Sequence, residues 1–204
     1  MTQKPLFVVD LDDVLAQSVQ AFVDFSNQHF AAGITMDDYN EDWSTMWGTD
    51  YEETERRAAI MRKHDIHQTY KPMPGAFEAL QALRPKYRLV VLTSRRESIK
   101  ASTTAWLEQY YPGIFDDILF SGIWDRSDRS TGELHLMTKG DQYKELGAAY
   151  VIDDHLKHAA AANTHGAVGI LFGAYPWNRH DSLPAGVVYC QGWPEVAEYF
   201  NGRI

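Results

Sequence analysis

The chain is short of the residues that several common functions need. Cys190 is the single cysteine among 204 residues, so no intrachain disulfide can form and a zinc site built on several thiolates is excluded. A cytoplasmic, reducing setting fits that usage best. Cations are scarce as well: 19 Lys and Arg stand against 28 Asp and Glu, for a net charge of −9. Non-specific nucleic-acid binding rests on basic surface that neutralises phosphates. The balance therefore argues against a polynucleotide partner and leaves small anionic ligands open. Long apolar runs are missing too. The N-terminal run is broken at Asp10, too short for a signal-peptide core or a membrane span. No internal repeat or low-complexity tract stands out. With 45% hydrophobic and 23% charged residues, the composition is that of an ordinary globular protein, long enough for one good core and a small accessory lobe.

What the chain does have is an apolar strand, Leu6-Phe7-Val8-Val9, that runs straight into Asp10-Leu11-Asp12-Asp13. Asp is poor in strands and disfavoured when buried, so something must compensate these charges. Asp-rich turns are also common for local hydrogen-bonding reasons, and the motif alone does not decide between a turn and a site. Three further pieces follow in order: Val90-Val91-Leu92-Thr93-Ser94-Arg95, then Lys139, then Tyr150-Val151-Ile152-Asp153-Asp154. In an open parallel sheet the ligand crevice lies outside the carboxyl ends of the strands, where Asp10, Thr93 and Asp153 would converge.

These residue types suit phosphate chemistry. A carboxylate can attack phosphorus and form an aspartyl phosphate, splitting one hard displacement into two easier ones; Asp10 is the candidate nucleophile. Two anions need a hard divalent cation between them, which makes Mg²⁺ the expected ion, held by Asp10, Asp153 and a backbone carbonyl near Asp12, with Asp154 as an outer or water-mediated ligand. Asp12 is placed to protonate the leaving alkoxide and then to deprotonate water. The hydroxyl and N–H of Thr93 and the ammonium of Lys139 can hold the phosphoryl oxygens, with Ser94 and Arg95 as further contacts to substrate. Lys144 is the rival to Lys139, but falls mid-helix, where a solvated side chain is normal.

The ordered set Asp-x-Asp-x-Val, strand-end Thr, Lys and Ile-Asp-Asp resembles the haloacid dehalogenase superfamily of phosphatases, from Leu6 to about Asn178. Its second Asp, Asp12, is similar to that of the phosphatase and phosphotransferase branch. Pro72-Met73-Pro74-Gly75 and Leu92-Thr93-Ser94-Arg95 resemble the small 5′(3′)-deoxyribonucleotidases. That resemblance implies a small phosphorylated substrate such as a (deoxy)nucleoside monophosphate, and cap aromatics around the base. Trp43 and Trp47 lie four apart and share a helix face; they are candidates for base binding, against the plainer reading that such a stripe packs in a core. Tyr39, Tyr51 and Tyr70 invite the same question. His155 and His158 suggest zinc at first sight, but a hard oxygen site argues otherwise. Tyr175-Pro176-Trp177 is either a wall of the crevice or a structural turn.

After the first strand, residues 16–71 become helical, polar and aromatic, which predicts a helical cap inserted into a core made of 1–15 and 72–204. Val19, Phe22, Val23, Phe25 and Phe30 mark one cap helix, with Gly33 punctuating its end, and Tyr51 to Lys63 another. From Pro72 onward helices (75–84, 97–110, 141–147, 155–163, 194–201) alternate with strands (88–93, 116–120, 150–153, 167–172, 186–190). That alternation predicts an α/β fold with a doubly wound parallel sheet. Residues 124–133 read as a polar mobile loop in which Arg126 and Arg129 are more simply solvated than substrate-bound. The leading function is thus a Mg²⁺-dependent phosphomonoesterase. Phosphotransfer to another small molecule, as in a sugar phosphate mutase, is the alternative enzyme, told apart by whether an added alcohol intercepts the phosphoenzyme. A non-catalytic metabolite sensor on the same fold is the alternative of another class.

Overall fold

In the computed structural model, which describes residues 3–121 and 138–201, six parallel strands form one sheet. They are β1 (Leu6–Val9), β2 (Arg88–Thr93), β3 (Asp117–Phe120), β4 (Ala148–Asp153), β5 (Val168–Phe172) and β6 (Val187–Cys190), in the order β3-β2-β1-β4-β5-β6. β1 is central, with Val9 level with Val91 on one side and Ile152 on the other. The order reverses beside β1, and the crevice of a doubly wound sheet opens at that reversal.

Alternate residues of the central strands bury on opposite faces. Phe7 and Val9 join the larger core with Leu89, Val91, Ile152, Trp106 and Trp193. Leu6 and Val8 join a smaller one with Val90, Leu92, Val151 and Tyr143. Burial on both faces explains why these strands read as continuous apolar runs. Gly169 in β5 is required by that packing. A Cβ there would lie 1.9 Å from the Ala159 carbonyl oxygen of the covering helix.

The helical elements follow the expected alternation. Between β1 and β2 come α1 (Ser18–Phe30), α2 (Trp43–Trp47), α3 (Tyr51–Lys63) and α4 (Ala76–Leu83). Next are α5 (Lys100–Tyr110), α6 (Lys139–Leu146), α7 (Leu156–Asn163) and α8 (Trp193–Asn201). Several boundaries differ from the sequence reading: α6 begins at Lys139 rather than 141 and β4 at Ala148 rather than 150, and two further ends have a local cause. α1 ends before Gly33, because Ala31 takes the left-handed conformation (φ 49°) and its N–H bonds back to Ser26 O. α5 is entered through a short 3₁₀ turn, Glu97–Ile99. The proposed mobile loop at 124–133, with Arg126 and Arg129, lies outside the described residues. Among the described residues no helix is long and apolar enough to cross a membrane.

Candidate active site

Asp10 leaves β1 still paired to the sheet, its N–H donating to Ile152 O at 3.0 Å. The chain then turns tightly through Asp13, which sits in the left-handed region (φ 56°), a conformation Asp tolerates better than most side chains. Its carboxylate accepts from Ser18 Oγ at 2.6 Å and from Val19 N at 3.2 Å, fastening the start of α1. Three successive carbonyls of this turn are held by aromatic donors. Tyr175 Oη donates to Asp13 O (2.7 Å), Trp193 Nε1 to Val14 O (2.8 Å) and Tyr111 Oη to Leu15 O (2.7 Å). Irregular backbone buried away from water needs such partners, and here they hold the turn that carries Asp10 and Asp12.

Asp10, Asp153 and Asp154 meet at the carboxyl ends of β1 and β4, each offering an oxygen within 4.8 Å of the others. All three are buried. Lys139 opens α6, where Thr138 and Asp141 form a reciprocal capping box. Its side chain is 2% exposed, and Nζ lies 2.9 Å from Asp10 Oδ1 and 2.9 Å from Asp153 Oδ2. Asp153 Oδ1 also accepts from His155 N. One ammonium thus pairs with two of the three buried carboxyls. Burial raises all three, but at Asp153 the charges of Lys139 and His158 and the hydrogen bonds from Lys139 and His155 N together outweigh it, and the carboxyl is held below its usual range. Burial pushes Asp10 up to about 8 against the pull of Lys139, and Asp153 adds to the rise. Asp154 is pushed well above the ordinary range by burial and then by the Asp153, Asp13 and Asp10 charges. Such a cluster has more negative potential than its surroundings balance.

The Asp12 carboxylate, a candidate ligand from the sequence, lies outside that cluster. It pairs instead with Arg95, Nη2 to Oδ1 at 2.7 Å and Nε to Oδ2 at 3.0 Å. Burial would raise Asp12, but the Arg95 charge and hydrogen bonds prevail and hold it low. Arg95, expected to face substrate, is 7% exposed and committed to Asp12 and to Thr103 Oγ1. Its guanidinium lies 5.2 Å from the centre of the Tyr70 ring. Thr93 ends β2 fully buried, its hydroxyl accepting from Arg95 N; Ser94 follows it, half-buried. His67, not singled out by sequence, sits in the field of Arg95 and Asp12, and its Nδ1 is buried without a hydrogen-bond partner among the described residues. Burial and then Arg95 lower it to about 4.

The base-binding expectation for Trp47 is corrected. It is 8% exposed, stacks on Phe22 at 5.0 Å and donates to Ser26 Oγ, which leaves no free ring face. Trp43 packs against the same Phe22 at 4.9 Å, with its outer side in solvent. Both follow from α2 lying on α1, which buries the shared face of the pair. The aromatic side chains beside the carboxylates are others. Trp177 Nε1 donates to Asp154 Oδ2 at 2.7 Å. Tyr39 packs on Trp177 at 4.2 Å and shares a hydrogen bond with His155 Nε2. Nearby, Lys157 Nζ lies 2.5 Å from Glu41 Oε1, so the helical segment after β1 touches the sheet domain next to the cluster. Of the two rival lysines the structure brings Lys139 to the carboxylates and leaves Lys144 exposed.

Solved structures with this architecture are numerous. A haloacid dehalogenase-like family hydrolase from Streptococcus pneumoniae superposes with a TM-score of 0.67 at 16% identity, covering 98% of this chain and 100% of that one. A HAD-type protein, YfnB from Bacillus subtilis, solved bound to magnesium, gives 0.64 at 12% identity over 98% and 100%. L-2-haloacid dehalogenase from Xanthobacter autotrophicus gives 0.63 at 11% identity over 99% and 100%. At these identities the likeness is one of fold. No curated protein sequence matches the chain. The α/β sheet and the family match together make this a phosphoric monoester hydrolase of the haloacid dehalogenase superfamily. Within that class the chain belongs to the family described as 5′ nucleotidase, deoxy (pyrimidine), cytosolic type C protein, whose model matches residues 4–125.

Proposed function

We propose that this protein is a Mg²⁺-dependent, cytoplasmic phosphomonoesterase that hydrolyses a nucleoside monophosphate, in particular a deoxy one, through an aspartyl phosphate on Asp10. The observation that carries this reading is the buried set at the ends of β1 and β4, where one ammonium, Lys139, lies 2.9 Å from both Asp10 and Asp153 with Asp154 alongside. The family match supports the substrate class.

The donor set fits a hard cation. Asp10, Asp153 and Asp154 offer only carboxylate oxygens, and their number exceeds what Lys139 balances; Mg²⁺ prefers such ligands. Bound there, Mg²⁺ would offset the carboxylates and the phosphoryl oxygens so that the two anions can approach. The chain's own residues do the rest. A carboxylate oxygen of Asp10 attacks phosphorus, and the bond to the leaving oxygen breaks. Lys139 and the end of β2 at Thr93 and Ser94 hold the phosphoryl oxygens. As Arg95 holds it, Asp12 is ionised, the state that takes a proton from water when the acyl phosphate is hydrolysed. Protonating the leaving alkoxide in the first step requires Arg95 to loosen its grip. Residues 16–71 act as the cap, meeting the core through Tyr39 and Glu41 and limiting the crevice to small substrates.

Chelation tests the metal. EDTA should silence phosphate release and Mg²⁺ restore it. Because burial raises Asp10 to about 8 and pushes Asp154 upward as well, metal binding should release protons, and apparent Mg²⁺ affinity should rise as pH climbs toward about 8. Calorimetry in buffers of different ionisation enthalpy measures those protons directly. Activity that persists in chelator, or binding with neither pH dependence nor proton release, contradicts the assignment.

A further inference from the structure

We infer that Trp177 is a positioning residue for the carboxylate cluster: its indole N–H fixes the orientation in which Asp154 meets a cation. The inference rests on the reading above that Asp10, Asp153 and Asp154 hold Mg²⁺. A carboxylate on a single Cβ rotates freely unless an outer partner fixes it, and such partners tune metal sites strongly. Asp154 is 4% exposed, so water is a poor substitute for a protein donor. Trp177 Nε1 fills that role at 2.7 Å from Oδ2.

The indole is itself held from several sides. The Tyr175 ring stacks on it at 4.5 Å with an interplanar angle of 2°, and Tyr175 is pinned through its hydroxyl to Asp13 O. Asn178, buried, donates through Nδ2 to Phe172 O and Gly173 O at 2.7 Å each and to Asp154 O at 3.3 Å. Gly173 makes the loop possible. It has φ +87°, and a Cβ there would lie 2.1 Å from the Tyr175 ring. From the other direction Tyr39 packs on Trp177. The loop after β5 is thus built to present one N–H to one oxygen. A neutral donor suits the task better than Lys or Arg: it orients the carboxylate without neutralising it, so the cation still meets a full negative charge.

The test is calorimetric titration of Mg²⁺ into metal-free wild type, Trp177→Phe and Tyr175→Phe. Trp177→Phe keeps an aromatic ring for the stack but loses the donor along with part of the indole's volume; it should bind Mg²⁺ about tenfold more weakly, within the 10–100-fold range typical of outer-shell partners. Tyr175→Phe keeps both stack and indole N–H and gives up only the bond to Asp13 O; it should lose clearly less affinity than Trp177→Phe. Equal affinity in wild type and Trp177→Phe overturns the inference and leaves the Mg²⁺ site standing. An equal loss in both variants assigns the effect to loop packing and overturns it too. No Mg²⁺ binding by wild type removes the metal reading, and the inference with it. Should Trp177→Phe not fold, the wild type decides through the ¹⁵N-resolved indole N–H signals of its six tryptophans: one should move on Mg²⁺ saturation, and a spectrum in which none moves overturns the inference.

Discussion

Asp10→Asn should abolish phosphate release, lowering kcat on the order of 10⁴-fold or more, as loss of a covalent nucleophile does. Asn preserves the shape of the side chain and the backbone pairing of residue 10 to Ile152 O, so the loss cannot be put down to a displaced strand. The variant also removes one of three clustered carboxyls, two of which share a single ammonium. Burial already pushes Asp10 upward, so the metal-free variant should melt no lower than wild type. Turnover within tenfold of wild type would remove Asp10 from the nucleophile's place. A lost activity joined to a collapsed melting temperature would show damage to the fold instead.

The second large effect is expected at Lys139. Lys139→Met keeps the length and packing of the stem but leaves Asp10 and Asp153, beside Asp154, without their shared cation. Breaking a buried ion pair by removing one partner costs about 3–5 kcal/mol. Part of that cost is relieved when the carboxyls take up protons, which sets its pH dependence. A carboxyl whose folded pKa is raised binds more protons folded than unfolded, so stability falls as pH climbs above its ordinary value near 4. Without Lys139 the folded values rise further. The deficit against wild type should therefore be small at pH 5 and approach its full size at pH 8, as measured by urea denaturation of the metal-free proteins. Activity should fall at least about 10²-fold from the lost contact to the phosphoryl oxygens. Lys144→Met, on the exposed side of α6, should stay within about 0.5 kcal/mol of wild type. A deficit at Lys139 that is under 1 kcal/mol at pH 8, or larger at pH 5, would contradict this electrostatic account.

The place of Asp10 could be anticipated because strand ends are local signals, whereas Lys139 was legible only through the resemblance, whose third motif its distance to Asp153 suits. Apolar runs that stop at Asp10, Thr93 and Asp153 define parallel strands and their carboxyl ends together, and the crevice follows from the sheet. All six strands lie where the alternation of segments puts them. The partners of these residues were harder to read. Arg95 meets Asp12 across 83 positions, and a helix-entry arginine carries no mark of being paired. Trp177 reaches Asp154 only because Gly173 permits a turn that a side chain would block. Trp43 and Trp47 show the opposite limit. Their spacing gives a shared face, but whether that face meets a ligand or Phe22 depends on how α2 lies on α1, and periodicity is silent on that.

The most direct measurement is Mg²⁺-dependent phosphate release by the wild-type protein from a panel of 5′- and 3′-deoxynucleotides, ribonucleotides, sugar phosphates and an aryl phosphate. The account predicts chelator-sensitive release with the highest kcat/KM on nucleoside monophosphates, the deoxy forms first. Release from none of these esters, or a clear preference for sugar phosphates, would contradict it.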